Sequence, residues 1–411
     1  MKGHDGRPRK RGFHKSWTLL ARKGTRFPPY FVSLDPIIQR QYGFLHFDLN
    51  HIIESLSHVV EPESGKDIVR LGLIRNLQFR DDRIRYTIFL KDPLSPFAYL
   101  VEEQSISAIR EVVGDKVSIQ VEMDNEMIGL GEGLVSDQAG KKAPGDRVLN
   151  TIAVASGKGG VGKSTVAVNL AIALVREGYD VGLVDVDIYG PSIPTMFDLE
   201  GTRPKINESR QIIPIVKFGV KVMSMGFLVE QDQAVIWRGP MVSGATKQFL
   251  GETDWGDLDY LILDLPPGTG DIQLTIVQTV SLTGAIVVST PQKVALADAR
   301  KGVAMFEQVG VPVLGLVENM AYFTPPDLPD RKYYLFGQGG ARDLARKLDI
   351  PLLAELPLDE ALRKSCDAGY PLAATDEGYP LFQEMARTVV HHVVVRNITK
   401  PDTERIEITT R

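Results

Sequence analysis

The stretch Gly157-Lys158-Gly159-Gly160-Val161-Gly162-Lys163-Ser164-Thr165 lies between two apolar segments of different kinds. Before it, Thr151-Ile152-Ala153-Val154-Ala155 is a short unbroken apolar run, as expected of a strand buried in a parallel sheet. After it, Val166-Ala167-Val168-Asn169-Leu170-Ala171-Ile172-Ala173-Leu174 reads as a helix packed on that sheet. Gly157, Gly162, Lys163 and Ser164 satisfy G-x-x-x-x-G-K-[ST] in the strand–loop–helix context that the P-loop pattern needs.

Glycines let the backbone adopt conformations closed to other residues and bring its N–H groups against phosphate oxygens. The helix beginning near Lys163 adds its positive dipole end to that cradle. Lys163 brings a charge to the β- and γ-phosphates, and the Ser164 hydroxyl suits Mg²⁺. Lys158 is not required by the spacing, and by itself it reads as a solvated loop charge. The spelling GKGGVGKST, however, resembles the deviant Walker A motif of the MinD, nitrogenase iron-protein and ParA superfamily. That resemblance implies that Lys158 reaches across a dimer interface to the partner's nucleotide, and hence an ATP-sandwiched homodimer.

Further apolar strands end in polar residues. Val181–Val184 leads into Asp185-Val186-Asp187, which places carboxylates at the ligand-binding edge of a parallel sheet. By the same resemblance Asp187 positions the attacking water, with Asp185 as its structural or Mg²⁺-side neighbour. Tyr260-Leu261-Ile262-Leu263 ends in Asp264, the Walker B arrangement, whose carboxylate holds Mg²⁺ through water. Leu265-Pro266-Pro267-Gly268-Thr269-Gly270-Asp271 then reads as a stiff switch loop, with Asp271 as a helix N-cap. Ala285–Ser289 leads into Thr290-Pro291-Gln292, and Val313–Val317 into Glu318-Asn319-Met320. The resemblance gives Asn319 to the adenine base, and no N-K-x-D run is present, so ATP is expected over GTP.

The 411 residues leave room for two or three domains. Their composition, 43% apolar and 24% charged, is that of a soluble globular protein, and no apolar run reaches the ~18 residues that span a bilayer. The single cysteine, Cys366, forbids an intrachain disulfide and points to a reducing, cytoplasmic setting. The first 30 residues hold nine Lys or Arg against Asp5 alone, so the remainder of a chain of net charge −5 is acidic. A basic arm suits nucleic acid, a membrane surface or a transit peptide. No apolar face or aromatic pattern organises these charges, so residues 1–47 are expected to be a disordered extension with no membrane or nucleic-acid role.

Residues 48–123 read as a small α+β domain. A helix over His51–Val60 is followed by the turn Glu61-Pro62-Glu63-Ser64-Gly65 and strands Leu71–Phe79 and Ile84–Leu90. A helix Pro96–Val113 and a strand Val117–Val121 complete an α-β-β-α-β order. With Val60-Glu61-Pro62-Glu63, Lys66-Asp67-Ile68-Val69 and Leu71-Gly72-Leu73, it resembles the MIP18-like domain. Ser95 stands where that family often has a cysteine, so no thiol chemistry is available there. Residues 124–148 are Gly-rich and polar, an interdomain linker. Residues 149–396 are expected to form a P-loop NTPase domain, a mostly parallel sheet covered by helices on both faces, and 397–411 a polar tail.

Asp185-Val186-Asp187-Ile188-Tyr189-Gly190-Pro191-Ser192, Trp237-Arg238-Gly239-Pro240-Met241, Asp264–Asp271, Thr290-Pro291-Gln292 and Val317-Glu318-Asn319-Met320 together resemble the Mrp/ApbC family of iron–sulfur cluster carrier ATPases. The resemblance implies a slow Mg²⁺-dependent ATP hydrolase, a homodimer that carries a [4Fe–4S] cluster to apo iron–sulfur client proteins or works with assembly factors. That family commonly places C-x-x-C after the VENM-x-YF run. Here the sequence continues Thr324-Pro325-Pro326-Asp327-Leu328-Pro329-Asp330, with no cysteine. Cys366 is the one remaining thiol candidate, and a lone cysteine is more often a small buried hydrophobe. Two alternatives therefore stand beside the carrier: a cluster-free ParA/MinD-like switch or scaffold ATPase, and a cluster-free Mrp paralogue whose small domain docks clients.

Overall fold

The computed structural model describes residues 49–80, 83–90, 96–115, 117–124, 148–187, 190–227 and 239–400. The basic extension, Ser95, Ile188-Tyr189 and Trp237-Arg238 lie outside the described residues, as do most of the linker and the end of the tail. The first helix, α1 (Leu49–Leu56), buries Leu49, Ile52, Ile53 and Leu56, one helical stripe. It packs on α2 (Pro96–Val113). Strand β1 (Ile74–Arg80) pairs antiparallel with β2 (Arg83–Phe89), and β2 pairs parallel with β3 (Ser118–Asp124). The α-β-β-α-β order is as expected. The first helix is shorter than the sequence suggests, because the chain turns at Ser57–His58 to bring Val59 back against Ile68.

Eight strands form the main sheet, in the order β13-β12-β11-β4-β10-β5-β9-β8. These are β4 (Val148–Ser156), β5 (Val181–Asp185), β8 (Ile215–Lys217), β9 (Val220–Ser224), β10 (Leu258–Asp264), β11 (Gly284–Ser289), β12 (Val313–Glu318) and β13 (Leu352–Glu355). All neighbours pair parallel except β8 with β9. The sequence does not announce that antiparallel edge. It follows from a two-residue turn in which Phe218 (φ 53°) and Gly219 (φ 77°) both take positive φ, which matches the twist of a hairpin. A separate two-stranded ribbon joins β6 (Lys205–Ile206) to β7 (Ile212–Ile213).

Alternate residues of β4 feed two cores. Ile152 and Val154 join one apolar cluster with α3 (Lys163–Arg176) and α10 (Tyr379–Thr399). Ala153 and Ala155 join the other, with α5 (Gly239–Gly251), α6 (Asp271–Thr279), α7 (Lys293–Gln308) and α8 (Gly340–Leu348). Both faces are thus covered, and β4 and β10 read as continuous apolar runs for that reason. The two remaining helices are α4 (Ile193–Met196) and α9 (Glu360–Asp367).

Three boundaries move. Strand β3 takes in Asp124 and β4 takes in Val148, positions expected in the linker. Helix α10 continues three residues past 396, because Asn397 is buried and its Nδ2 donates to Asn150 Oδ1 at 2.7 Å. At Asp271 the expected cap is corrected: Gly270 is the N-cap and Asp271 begins the helix. No described helix is long and apolar enough to cross a membrane.

The small domain is docked on the main sheet. Arg70 Nη2 donates to Asp259 Oδ2 at 2.7 Å and to the Gly178 carbonyl at 2.7 Å, and its guanidinium lies 4.8 Å from the Tyr179 ring centroid. Asp259 is the second residue of β10 and Asp180 precedes β5, so this contact sits at the amino ends of the strands. Strand β1 packs against α10, and one apolar cluster runs from Ile52 and Ile84 through to Val389 and Val393.

Candidate nucleotide-binding site

The carboxyl ends of β4, β5 and β10 stand side by side. Asp264 pairs in register with Val154 on one side and Asp185 on the other. The glycine loop leaves β4 here and turns straight into α3. A Cβ at Gly157 would lie 2.3 Å from the Asp298 carbonyl carbon of α7, so any larger residue would push the loop off that helix. Gly162 is the N-cap of α3 at φ 82°, a left-handed conformation that favours glycine. Gly159 and Gly160 are exposed, with open space where a side chain would sit, while Val161 is buried in the core below. The first turn of α3 therefore presents backbone N–H groups and a positive helix end to an open cradle.

Lys163 is almost wholly buried. Its Nζ donates to Asp264 Oδ1 at 2.6 Å and to Ser164 Oγ at 3.2 Å, and lies 3.6 Å from Asp187 Oδ2. The sequence-predicted Lys163, Ser164, Asp187 and Asp264 thus meet at one point. Asp264 is fully buried, and its Oδ2 has no hydrogen-bond partner among the described residues. A buried carboxylate oxygen beside a serine hydroxyl is the hard oxygen donor set that a divalent cation such as Mg²⁺ takes, so these residues fit one. Thr165 continues α3, and its carbonyl accepts from Asn169 Nδ2 at 2.8 Å.

Asp185 does a different job. Its Oδ2 accepts from Ser224 Oγ at 2.9 Å and from Ile193 N at 3.4 Å, and its Oδ1 from Asp187 N at 3.1 Å. One carboxyl thereby holds both ends of the loop that carries Asp187 and ties it to β9. Burial, and then the neighbouring Asp264, push this group up to about 8, against the pull of Lys163 and the Ser224 hydrogen bond. The part played by Ser224 is not legible in sequence, since nothing local in Val220–Ser224 points to a partner 39 residues away.

Asn319 follows β12, and its Nδ2 donates to the Val161 carbonyl at 2.9 Å. The residue expected beside the base is therefore also fastened to the P-loop. Next to it, the Glu318 carboxylate accepts from Ala341 N at the start of α8, and burial raises its pKa. Lys158 stands on the rim, half-buried, with its carbonyl accepting from Ser156 Oγ at 2.9 Å and no ion pair among the described residues.

Cys366 is not brought to this site. It lies on α9, in the core, where Asn169 Nδ2 is 3.9 Å from its Sγ and burial raises its pKa. A buried thiol whose pKa is raised is less readily the thiolate that a metal takes.

Over residues 147–394 the sequence matches the family described as ParA, NUBPL iron-transfer P-loop NTPase. The chain belongs to this family. Residues 49–121 match a second family, described as iron–sulfur cluster assembly protein. The iron–sulfur cluster carrier protein of Synechocystis sp. is 45% identical over 333 residues, 79% of this chain and 91% of that protein. Its counterpart in Deinococcus radiodurans is 43% identical over 352 residues, 85% of this chain and 97% of that protein. Among solved structures, the nucleotide-binding protein of Archaeoglobus fulgidus in complex with ADP is 42% identical. It covers 57% of this chain and 92% of its own, with a TM-score of 0.51. The iron-transfer NTPase family and the MIP18-like domain in front of it are as the sequence led one to expect.

Proposed function

We propose that this iron-transfer NTPase binds and hydrolyses ATP to handle iron–sulfur clusters destined for apoproteins. One observation carries the nucleotide half of this reading: Ser164, Asp187 and Asp264 converge within 3.6 Å of the Lys163 ammonium, beside an open glycine cradle. The iron–sulfur half rests on relatives named cluster carriers, of whose length this chain covers 91% and 97%. Those relatives favour the carrier over a positioning ATPase of the ParA or MinD type.

The loop N–H groups from Gly157 to Thr165, with Lys163, neutralise the β- and γ-phosphates. Ser164 and Asp264 hold Mg²⁺, which when bound spreads the phosphate charge further. Asp187 orients the attacking water, and Asp185 keeps Asp187 in place. Asn319 faces the adenine, and Lys158 of a second protomer completes the charge of the site. A homodimer is therefore the active form, slow in turnover and working in the cytoplasm.

The test is steady-state ATP hydrolysis at fixed Mg²⁺. Removing a residue that orients the nucleophile lowers turnover by roughly 10²–10⁴-fold, so Asp187→Ala should lose that much while retaining ATP affinity. An Asp187→Ala protein with full turnover would refute the assignment.

A further inference from the structure

A carrier of iron–sulfur clusters, the role proposed for this chain, needs ligands that the chain itself is short of. A [4Fe–4S] cluster is ordinarily held by four thiolates. This chain has one cysteine in 411 residues, so a homodimer offers two. Both are Cys366, buried between α9 and α3, with the thiol pushed up by burial away from the thiolate that iron requires. Among the described residues no group of three or more His, Cys, Asp or Glu is placed to hold a metal ion.

The segment between β12 and α8, where the resembled family has its thiols, is closed in this chain. Phe323 and Tyr333 exchange two backbone hydrogen bonds of 2.8 Å across its neck. Lys332 Nζ sits 3.8 Å from the Tyr322 ring centroid, and tight turns follow Pro325 and Leu328. Its first end is tied to the nucleotide site, through Asn319 to the Val161 carbonyl, and its two ends are tied to each other, Glu318 accepting from Ala341 N. The loop is thus kept ordered and coupled to the P-loop while supplying no thiolate.

We infer, resting on the proposed carrier role, that this protein acts on iron–sulfur clusters whose thiolate ligands are supplied from outside the chain. The ligands are the sulfurs of a low-molecular-weight thiol or the cysteines of a client protein; both supply the same Fe–S bonds. Cys366 takes no part in them.

The experiment is anaerobic reconstitution of the full-length protein with ferrous iron and sulfide, in three arms. The first contains only a non-thiol reductant, the second adds glutathione, and the third adds an apo-ferredoxin with a four-cysteine site. Iron co-eluting with this chain is counted by gel filtration, with Cys366→Ser run beside the wild type. ATP hydrolysis is measured on the same samples. The expected result is no iron above background in the first arm and retained iron in the second or third, unchanged by Cys366→Ser. Iron in the second arm identifies a small thiol as the source. Iron only in the third, in a complex of the two proteins, identifies client cysteines. Retained iron in the first arm would overturn the inference, and its loss in Cys366→Ser would return the site to that residue. Iron in no arm would overturn it as well. Intact ATP hydrolysis in that case would leave the nucleotide site standing, whereas absent hydrolysis would sink the proposed function itself.

Discussion

The small domain is held to the main sheet by a polar contact whose strength can be worked out. Arg70 brings three interactions: the 2.7 Å bond to Asp259, the 2.7 Å bond to the Gly178 carbonyl and the approach to Tyr179. Asp259 has a side chain only 3% exposed, so Arg70→Met would leave a carboxylate in the interface without its hydrogen-bonded counter-ion, with only Lys66 Nζ at 3.9 Å remaining. Breaking one partner from a fully buried pair costs about 3–5 kcal/mol. Here Asp259 keeps the Asp180 N–H at 2.9 Å, and Arg70 itself is partly exposed, which lowers the figure to about 2–3 kcal/mol. Lys66 is a useful contrast. It reaches Asp180 at 3.3 Å and lies 3.9 Å from Asp259, too far for a hydrogen bond, and its own ammonium is solvated; such pairs contribute about 0–1 kcal/mol. The assay uses a protein carrying a site for a sequence-specific protease within residues 125–147. After cleavage the halves are held only by this interface, and their association is followed on dilution. Arg70→Met should weaken it roughly 30- to 150-fold, and Lys66→Ala at most a few-fold. An Arg70→Met protein whose halves associate within about twofold of the wild type, the range of an ordinary surface change, would refute the idea that this contact fixes the domain.

In the nucleotide-free protein, Lys163→Met should lower stability by about 3–5 kcal/mol, since fully buried Asp264 loses its cation. Adding Asp264→Asn should recover part of this in thermal melts, and strict additivity of the two changes would contradict the pairing. Asp185 holds a proton in the folded protein up to about 8, against 3.8 for an ordinary aspartate, so its contribution is full below about 3.8 and is lost as pH rises through 8. Asp185→Asn should therefore flatten the fall in Tm between about pH 4 and 8, and an unchanged slope would count against the buried neutral carboxyl. Asn319→Ala leaves the Val161 carbonyl without its donor, a loss of about 1–3 kcal/mol. ATP and GTP affinity should both fall, ATP further; a change confined to ATP would mean that the Val161 tie is idle.

How far the sequence can be read depends on whether each signal is local. The P-loop, the strands ending in Asp185 and Asp264 with Asp187 just beyond the first, and the stripe of Leu49, Ile52, Ile53 and Leu56 are each spelled within a dozen residues, so periodicity and spacing suffice. The edge pair β8–β9 is legible in principle from Phe218-Gly219 between β-branched residues, but its three-residue partner strand is too short to stand out. Ser224 holding Asp185, Asn319 fastening Val161 and Arg70 meeting Asp259 join residues 39, 158 and 189 positions apart. No periodicity reports such pairs, because each is fixed by the order in which parallel strands assemble and not by its neighbours in the chain. The same distinction explains the cysteine. Composition alone establishes that one thiol exists, whereas only the packing of α9 on α3 shows that it faces the core. What the fold enforces in this chain is therefore the carboxylate-bound lysine, and a loop closed at its neck and tied through Asn319 to the P-loop. What it lacks is the part that only side-chain identity provides. A cluster held by borrowed thiolates is the arrangement under which both facts are useful to the same protein.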